Sequence, residues 1–135
     1  MKWQIAGFLS LIATVTSGQA GSPAVIVSKE GAKWMHEAKD PPGSESVFLR
    51  EDSATGGIEL LVSFPAGHVF TPHWHDSNER IIVTEGTLSI GEKSIGAGGY
   101  AFLPAKEVQR LSCTSKTKCV FYLAWDGNPK SHPAK

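Results

Sequence analysis

The sequence lacks an excess of charge of either sign. Its 135 residues include 13 Lys and Arg against 13 Asp and Glu, so the formal net charge at pH 7 is zero. Because a protein without a basic field does not attract nucleic acid or anionic lipid over long range, we expect no nucleic-acid partner. The hydrophobic fraction of 41% is too high for a disordered chain, and the length predicts one domain.

The sequence also lacks the patterns of a helical protein and of several enzyme classes. No convincing segment repeats its apolar residues every 3.6 positions, which argues against a helical bundle. No serine stands in a G-x-S-x-G turn, and no glycine-rich loop is suited to phosphate. These absences exclude the common serine-hydrolase and nucleotide-binding motifs.

The first twenty residues have the pattern of a cleaved secretory signal. Lys2 supplies a positive start, an apolar stretch runs from Ile5 to Val15, and small residues lead up to Ala20. A retained membrane anchor is the alternative, but about eleven apolar residues are far fewer than the roughly 20 that span a bilayer. We therefore expect residues 1–20 to be removed. The mature chain would be periplasmic or secreted and without membrane contact.

Only two cysteines are present, Cys113 and Cys119. In an exported protein, two cysteines this close in sequence indicate a disulfide. The residues flanking the pair have the composition of strands, so we expect the disulfide to join the two sides of a hairpin. A metal or redox role is the alternative, but the spacing is not CxxC.

Many short apolar runs, separated by turns rich in glycine and proline, predict an all-β chain. Their spacing of about 8 to 12 residues is typical of a sandwich or barrel. We divide the expected mature chain into an irregular N-terminal segment with one strand (21–57), a β core (58–127) and a tail (128–135). The tail contains two prolines and no apolar run, so we expect it to be poorly ordered.

Two histidines and a glutamate have the spacing of a metal site. His73 and His75 are separated by one residue, and side chains at positions i and i+2 of a strand lie on the same face. The segment between His75 and Glu79 is suited to a turn, which would bring the carboxylate toward the imidazoles. Two imidazoles and one carboxylate are typical of non-haem Fe(II) sites, and they also suit Mn, Ni, Co or Zn.

These residues belong to a longer pattern that resembles the cupins. Gly67, His73, His75, Glu79 and Gly86 form G-x5-H-x-H-x3-E-x6-G, the first cupin motif, with every fixed position present. The resemblance extends over roughly residues 58–127, and it is closest to small, exported, single-domain bacterial cupins.

The second cupin motif, G-x5-P-x-G-x2-H, is only partly present. Gly98 and Pro104 match it, but Lys106 replaces the glycine, and Gln109 stands where cupins usually have a fourth metal ligand, a histidine. The Gln109 side chain could bind the metal through its carbonyl oxygen, a weaker donor than imidazole. Alternatively, Gln109 could orient a bound water or ligand without touching the metal.

The resemblance implies a double-stranded β-helix, or jelly-roll barrel, with a metal inside. His73, His75, Glu79 and Gln109 would hold a divalent transition metal (Fe, Mn, Ni, Co or Zn). The implied function is a metal-dependent, dioxygenase-like enzyme acting on a small organic molecule, with Glu79 alternating between metal ligand and general base. A non-catalytic cupin that binds or senses a metal or small molecule is the alternative, and a homodimer is expected.

Overall fold

The computed structural model describes residues 21–135, so the expected signal segment lies outside the described residues. The described part is built from ten strands joined by turns and loops. Across residues 21–135, no helix has the length and apolar content that a membrane crossing requires. The strands are β1 (Glu45–Asp52), β2 (Gly57–Phe64), β3 (His73–His75), β4 (Glu79–Glu85), β5 (Thr87–Ile90), β6 (Lys93–Gly96), β7 (Tyr100–Leu103), β8 (Leu111–Cys113), β9 (Cys119–Trp125) and β10 (Ser131–Pro133).

The strands form three antiparallel sheets. A five-stranded sheet has the order β1-β2-β9-β4-β7, a three-stranded sheet has the order β6-β5-β8, and β10 pairs with β3. Two isolated bridges, Val69 with Ser112 and His73 with Gln109, connect the segment around β3 to the segment around β8. This arrangement is the all-β jelly roll that the cupin resemblance implies.

The hydrophobic core lies between the five-stranded and the three-stranded sheets. Because side chains alternate along a strand, every second residue of β4 points inward, and Ile81 and Val83 are completely buried there. They belong to one cluster with Phe121 of β9 and Leu88 of β5. Glu79 has the same parity as Ile81 and Val83, so its carboxylate also points into the barrel.

The predicted disulfide is present and joins Cys113 to Cys119. The expectation that the disulfide joins the two sides of a hairpin is wrong. Cys113 lies in β8, which pairs with β5, whereas Cys119 lies in β9, which pairs with β2 and β4. The chain crosses from one sheet to the other between the two cysteines. The disulfide therefore links the three-stranded sheet to the five-stranded sheet. Backbone pairing does not provide this link, because β8 and β9 do not pair with each other.

The expectation of a poorly ordered tail is also wrong. Residues 131–133 form β10, which places Ser131 opposite His75, His132 opposite Trp74 and Pro133 opposite His73. The tail contains no apolar run because its order comes from backbone pairing with β3, and backbone hydrogen bonds depend little on residue type.

Lys106, in the loop between β7 and β8, has a backbone conformation that lysine rarely adopts. Its φ is 67°, and it is the one non-glycine residue with positive φ in the part of the chain that the structure describes. Its amide N–H donates a hydrogen bond to the carbonyl oxygen of His75 at 2.8 Å, which holds the loop against β3. A side chain in the left-handed region costs roughly 1–2 kcal/mol relative to glycine, the residue of the second cupin motif.

We predict that Lys106→Gly raises the free energy of unfolding by about 1 kcal/mol, because glycine removes the strain and keeps the amide donor. Urea denaturation measures the change. Lys93→Gly is the matched control: Lys93 is exposed in β6 without a positive φ, and its replacement should lower stability by roughly 0.5–1 kcal/mol. Equal losses in the two variants would contradict the strain at Lys106.

Candidate metal centre

Three of the four predicted ligands come together inside the barrel, and the fourth lies beside them. His75 ends β3 and is 6% exposed, Glu79 begins β4 and is 2% exposed, and Gln109 precedes β8 and is 4% exposed. His73 begins β3 and is only half-buried. The backbones of His73 and Gln109 are hydrogen-bonded in both directions, at 2.7 and 3.3 Å, so the two cupin motifs meet at this point.

The carboxylate of Glu79 is the centre of the polar contacts. Its Oε2 accepts a hydrogen bond from Nε2 of Gln109 at 2.8 Å, and Nε2 of His75 lies 3.3 Å from the same oxygen. The other amide atom of Gln109, Oε1, is buried without a hydrogen-bond partner. Gln109 therefore steadies the carboxylate with its nitrogen and keeps a free oxygen inside the protein.

Backbone carbonyls set the orientation of both imidazoles. Nδ1 of His73 donates to the carbonyl oxygen of Thr71 at 2.7 Å, and Nδ1 of His75 donates to that of Pro129 at 2.9 Å. Because a carbonyl oxygen only accepts, Nδ1 carries a proton in both rings. The ring centroids are 5.0 Å apart and the rings are nearly perpendicular. In each neutral ring, Nε2 is left with the lone pair that a metal would bind.

Burial is the dominant influence on the ionisation of Glu79. Removal from water raises the pKa of the Glu79 carboxyl, while the hydrogen bond from Gln109, the neighbouring imidazoles of His75 and His73 and the nearby indole N–H of Trp125 lower it to a smaller extent. An ionised carboxylate at this depth is favourable only beside a cation. A divalent metal ion held beside the carboxylate would meet this requirement.

The donor set fits a first-row divalent ion in its chemistry. A separation of 3.3 Å between Nε2 of His75 and Oε2 of Glu79 is close to that of two neighbouring ligands that each lie about 2.1 Å from one ion. The buried Oε1 of Gln109 is a further oxygen without a partner. As the side chains stand, residues 21–135 contain no group of three or more His, Cys, Asp or Glu arranged to hold a metal ion. Ligation of a metal by His73, His75, Glu79 and Gln109 therefore stays a prediction.

A cavity of about 240 Å³ extends from these residues between the sheets. Apolar side chains form most of its walls, and His73, Glu79 and Trp125 contribute polar groups at the end near the proposed metal site. The indole Nε1 of Trp125 is buried without a partner, and Trp125 is the β9 residue opposite Glu79. The apolar wall residues are Leu60, Val62, Phe64, Phe70, Leu111, Phe121 and Leu123.

The irregular N-terminal segment also contributes to the cavity. Residues 40–46 supply Asp40, Pro41, Ser44, Glu45 and Ser46 to its lining. This loop is held by a hydrogen bond from Ser44 Oγ to the carbonyl oxygen of Pro41 and by a contact of 2.7 Å from His36 Nδ1 to that of Ser44. The sequence does not show that this loop lies at the site, because a loop has no periodicity that indicates what it covers.

Sequence reasoning also missed three polar groups that act at the site. The carbonyl groups of Thr71 and Pro129 orient the imidazoles, but every residue has a carbonyl, so residue type gives no signal for them. For Trp125, residue type shows an aromatic side chain but not that its indole N–H lies beside Glu79. Its inward position on β9 follows from the parity of Phe121 and Leu123, and that parity is readable in the sequence.

Comparison with known proteins agrees with the geometry. The model of the ChrR cupin-like domain family matches residues 22–126. No curated protein sequence matches the chain significantly.

Several crystal structures share the fold. A putative acetylacetone dioxygenase from Methylibium petroleiphilum PM1 aligns with a TM-score of 0.71 and 18% identity, over 87% of this chain and 85% of that one. An RmlC-like cupin protein from Ralstonia eutropha JMP134 aligns with a TM-score of 0.69 and 16% identity, over 78% and 69% of the two chains.

The third comparison is with the structure of the Rhodobacter sphaeroides anti-sigma factor ChrR in complex with SigE. It aligns with a TM-score of 0.62 and 19% identity over 73% of this chain, which spans only 52% of the matched chain. Because their sequence identities to this chain are low, these structures show a common fold and no more. The family model matches most of the sequence and therefore shows the family. This chain belongs to the ChrR cupin-like domain family of cupins.

Proposed function

We propose that this protein is an exported, metal-binding cupin that acts as a dioxygenase-like enzyme on a small organic molecule. The observation that carries the proposal is the buried contact between Glu79 and His75 beside an apolar cavity. A buried carboxylate next to an oriented imidazole is costly to fold unless it has a function or a bound cation. The cavity provides the space in which a substrate reaches this pair.

The residues that would hold the metal are His73, His75 and Glu79, with Gln109 as a fourth ligand or as the partner that steadies Glu79. A bound Fe, Mn, Ni, Co or Zn ion would supply Lewis acidity at this point, and a redox-active one would also supply oxygen chemistry.

The side chains around the cavity are suited to proton transfer and to the exclusion of water. Glu79 can accept a proton from an acidic C–H or O–H of the substrate, because burial raises the pKa of its carboxyl and makes it a better base. The Trp125 indole N–H lies near the Glu79 carboxylate without forming a hydrogen bond of normal geometry, so it can donate either to that carboxylate or to a substrate oxygen. Apolar walls formed by residues such as Phe70 and Phe121 keep water away from the pair.

The cavity limits the size of the substrate. Its volume of about 240 Å³ lies below the roughly 300–1,000 Å³ of most sites for drug-sized ligands. A small, mostly apolar molecule with one or two oxygens fits this space better than a flavonol. The likeness to a putative acetylacetone dioxygenase supports a small β-diketone as the substrate class.

A second candidate function is non-catalytic sensing of a metal or small molecule. The family and the structure of an anti-sigma factor in complex with SigE support it, as does the glutamine in place of the fourth histidine. In this alternative the same cavity binds its ligand without turnover.

Bacterial export and homodimer formation belong to the proposal as well. Fractionation of cells tests export, and light scattering tests the homodimer.

We predict that the protein, purified without chelators, contains about one equivalent of a divalent transition metal per chain. His75→Ala and Glu79→Gln should each weaken Zn²⁺ binding by at least about tenfold, because each removes a donor. Chelator competition measures the affinity. His36→Gln is the control, since His36 contacts Ser44 and none of the proposed ligands. Less than about a tenth of an equivalent of metal in the wild type would refute both candidate functions.

We further predict that Gln109→His binds Zn²⁺ about tenfold more tightly than the wild type, because imidazole is a stronger donor than an amide oxygen to this ion. The same competition assay applies. Unchanged affinity would place Gln109 outside the metal ligands and leave its hydrogen bond to Glu79 as its role.

Catalysis is tested by oxygen consumption. With Fe²⁺ supplied, we expect uptake of oxygen in the presence of acetylacetone and little uptake with a flavonol, because the cavity is small and apolar. Glu79→Gln should abolish the uptake, since the amide cannot accept the proton. Saturable binding of acetylacetone to the metal-loaded protein without oxygen uptake would support the sensing function instead.

A further inference from the structure

The C-terminal segment 127–134 lies directly on the strand that carries both histidines. β10 pairs with β3, and outside the two strands the amide of Asp76 donates to the carbonyl oxygen of Lys130, while the amide of Ala134 donates to that of Pro72. We call residues 127–134 the C-terminal clasp. The family model ends at residue 126, so the clasp is a feature of this chain that the family assignment does not describe.

Besides its backbone pairing with β3, the clasp makes one hydrogen bond to a side chain of the proposed metal site. The carbonyl oxygen of Pro129 accepts the Nδ1 hydrogen bond of His75 at 2.9 Å, across 54 positions of sequence. This bond requires a proton on Nδ1. On the other side of the ring, Nε2 faces the carboxylate of Glu79 at 3.3 Å. Without Pro129, the neutral imidazole would place its single proton on Nε2, where the carboxylate accepts it, and the metal-binding lone pair would be lost.

Side chains on the opposite face of β3 anchor the clasp. The His132 ring stacks on Trp74 with centroids 4.0 Å apart, and its Nε2 lies 2.9 Å from Oδ2 of Asp76. At the start of the clasp, Ser77 Oγ donates to the carbonyl oxygen of Asn128 at 3.0 Å. These contacts leave the ring of His75 free while they hold the backbone that orients it.

We propose that the C-terminal clasp is a positioning element that selects the Nδ1–H tautomer of His75 and thereby keeps Nε2 available for a metal ion. The inference rests on the proposed function for its consequence in metal binding, whereas the tautomer itself is a property of the metal-free protein. Pro129 acts through its backbone carbonyl, so the identity of residue 129 matters less than the attachment of the segment. His132 is the side chain whose loss should loosen that attachment most.

Two variants of the full chain test the proposal: removal of residues 129–135, and His132→Ala. Nitrogen-15 NMR of the metal-free proteins, recorded at a pH of about 9, reports which ring nitrogen of His75 carries the proton. We expect Nδ1–H in the wild type, Nε2–H in the truncated protein and a mixture in His132→Ala. Zn²⁺ affinity, measured by chelator competition, should fall about 10–100-fold on truncation and less in His132→Ala.

Ser131→Ala is the matched control, because Ser131 is exposed in the same strand and its replacement leaves the backbone pairing and the His132 contacts in place. It should behave as the wild type. An unchanged His75 tautomer in the folded truncated protein would overturn the inference, as would an Nε2–H tautomer in the wild type. If truncation prevents folding, the shift in His132→Ala decides. If the wild type shows the Nδ1–H tautomer but binds no Zn²⁺, the proposed function is refuted. The comparison of tautomers between the wild type and the variants would still test whether the clasp orients His75.

Discussion

The burial of one carboxylate, Glu79, is the constraint on which the site depends. Apolar strands surround this carboxylate, so it depends on polar partners inside the barrel. Gln109 donates a hydrogen bond to it, and the imidazole of His75 lies beside it. This explains why β3 and β4 are joined by a short turn that sets imidazole and carboxylate side by side. It also explains why a polar group that destabilises a core occurs at the start of a strand whose later inward residues are aliphatic.

The second constraint is the direction of the imidazole rings. A neutral histidine beside a carboxylate ordinarily donates a hydrogen bond to it, which leaves no lone pair on the ring nitrogen that faces the carboxylate. Here the carbonyl groups of Thr71 and Pro129 take the Nδ1 protons instead, so backbone geometry decides the chemistry of both rings. The tail therefore belongs to the same functional unit as the barrel. The orientation of an inner group by a more distant one is a common arrangement around metal sites.

Much of the fold and part of the site could be predicted from local patterns. Alternation along β4 placed Glu79 on the inward side together with Ile81 and Val83, and the disulfide was expected from its two cysteines. The hairpin around that disulfide was wrong because strand composition does not show which sheet a strand joins. The order of the tail was missed for a related reason: β10 is stabilised by pairing with β3, a strand more than fifty positions earlier in the chain.

The sequence by itself determined the inventory of the site: two imidazoles on one face of a strand, a carboxylate after a turn and a glutamine in place of a histidine. It did so because side-chain chemistry and strand alternation are local properties. Only the tertiary structure decided that Gln109 donates to Glu79, that Trp125 leaves an indole N–H beside the cavity and that Pro129 orients His75. Those contacts join distant segments, and several of them use backbone atoms that every residue shares, so no pattern of residue types could specify them.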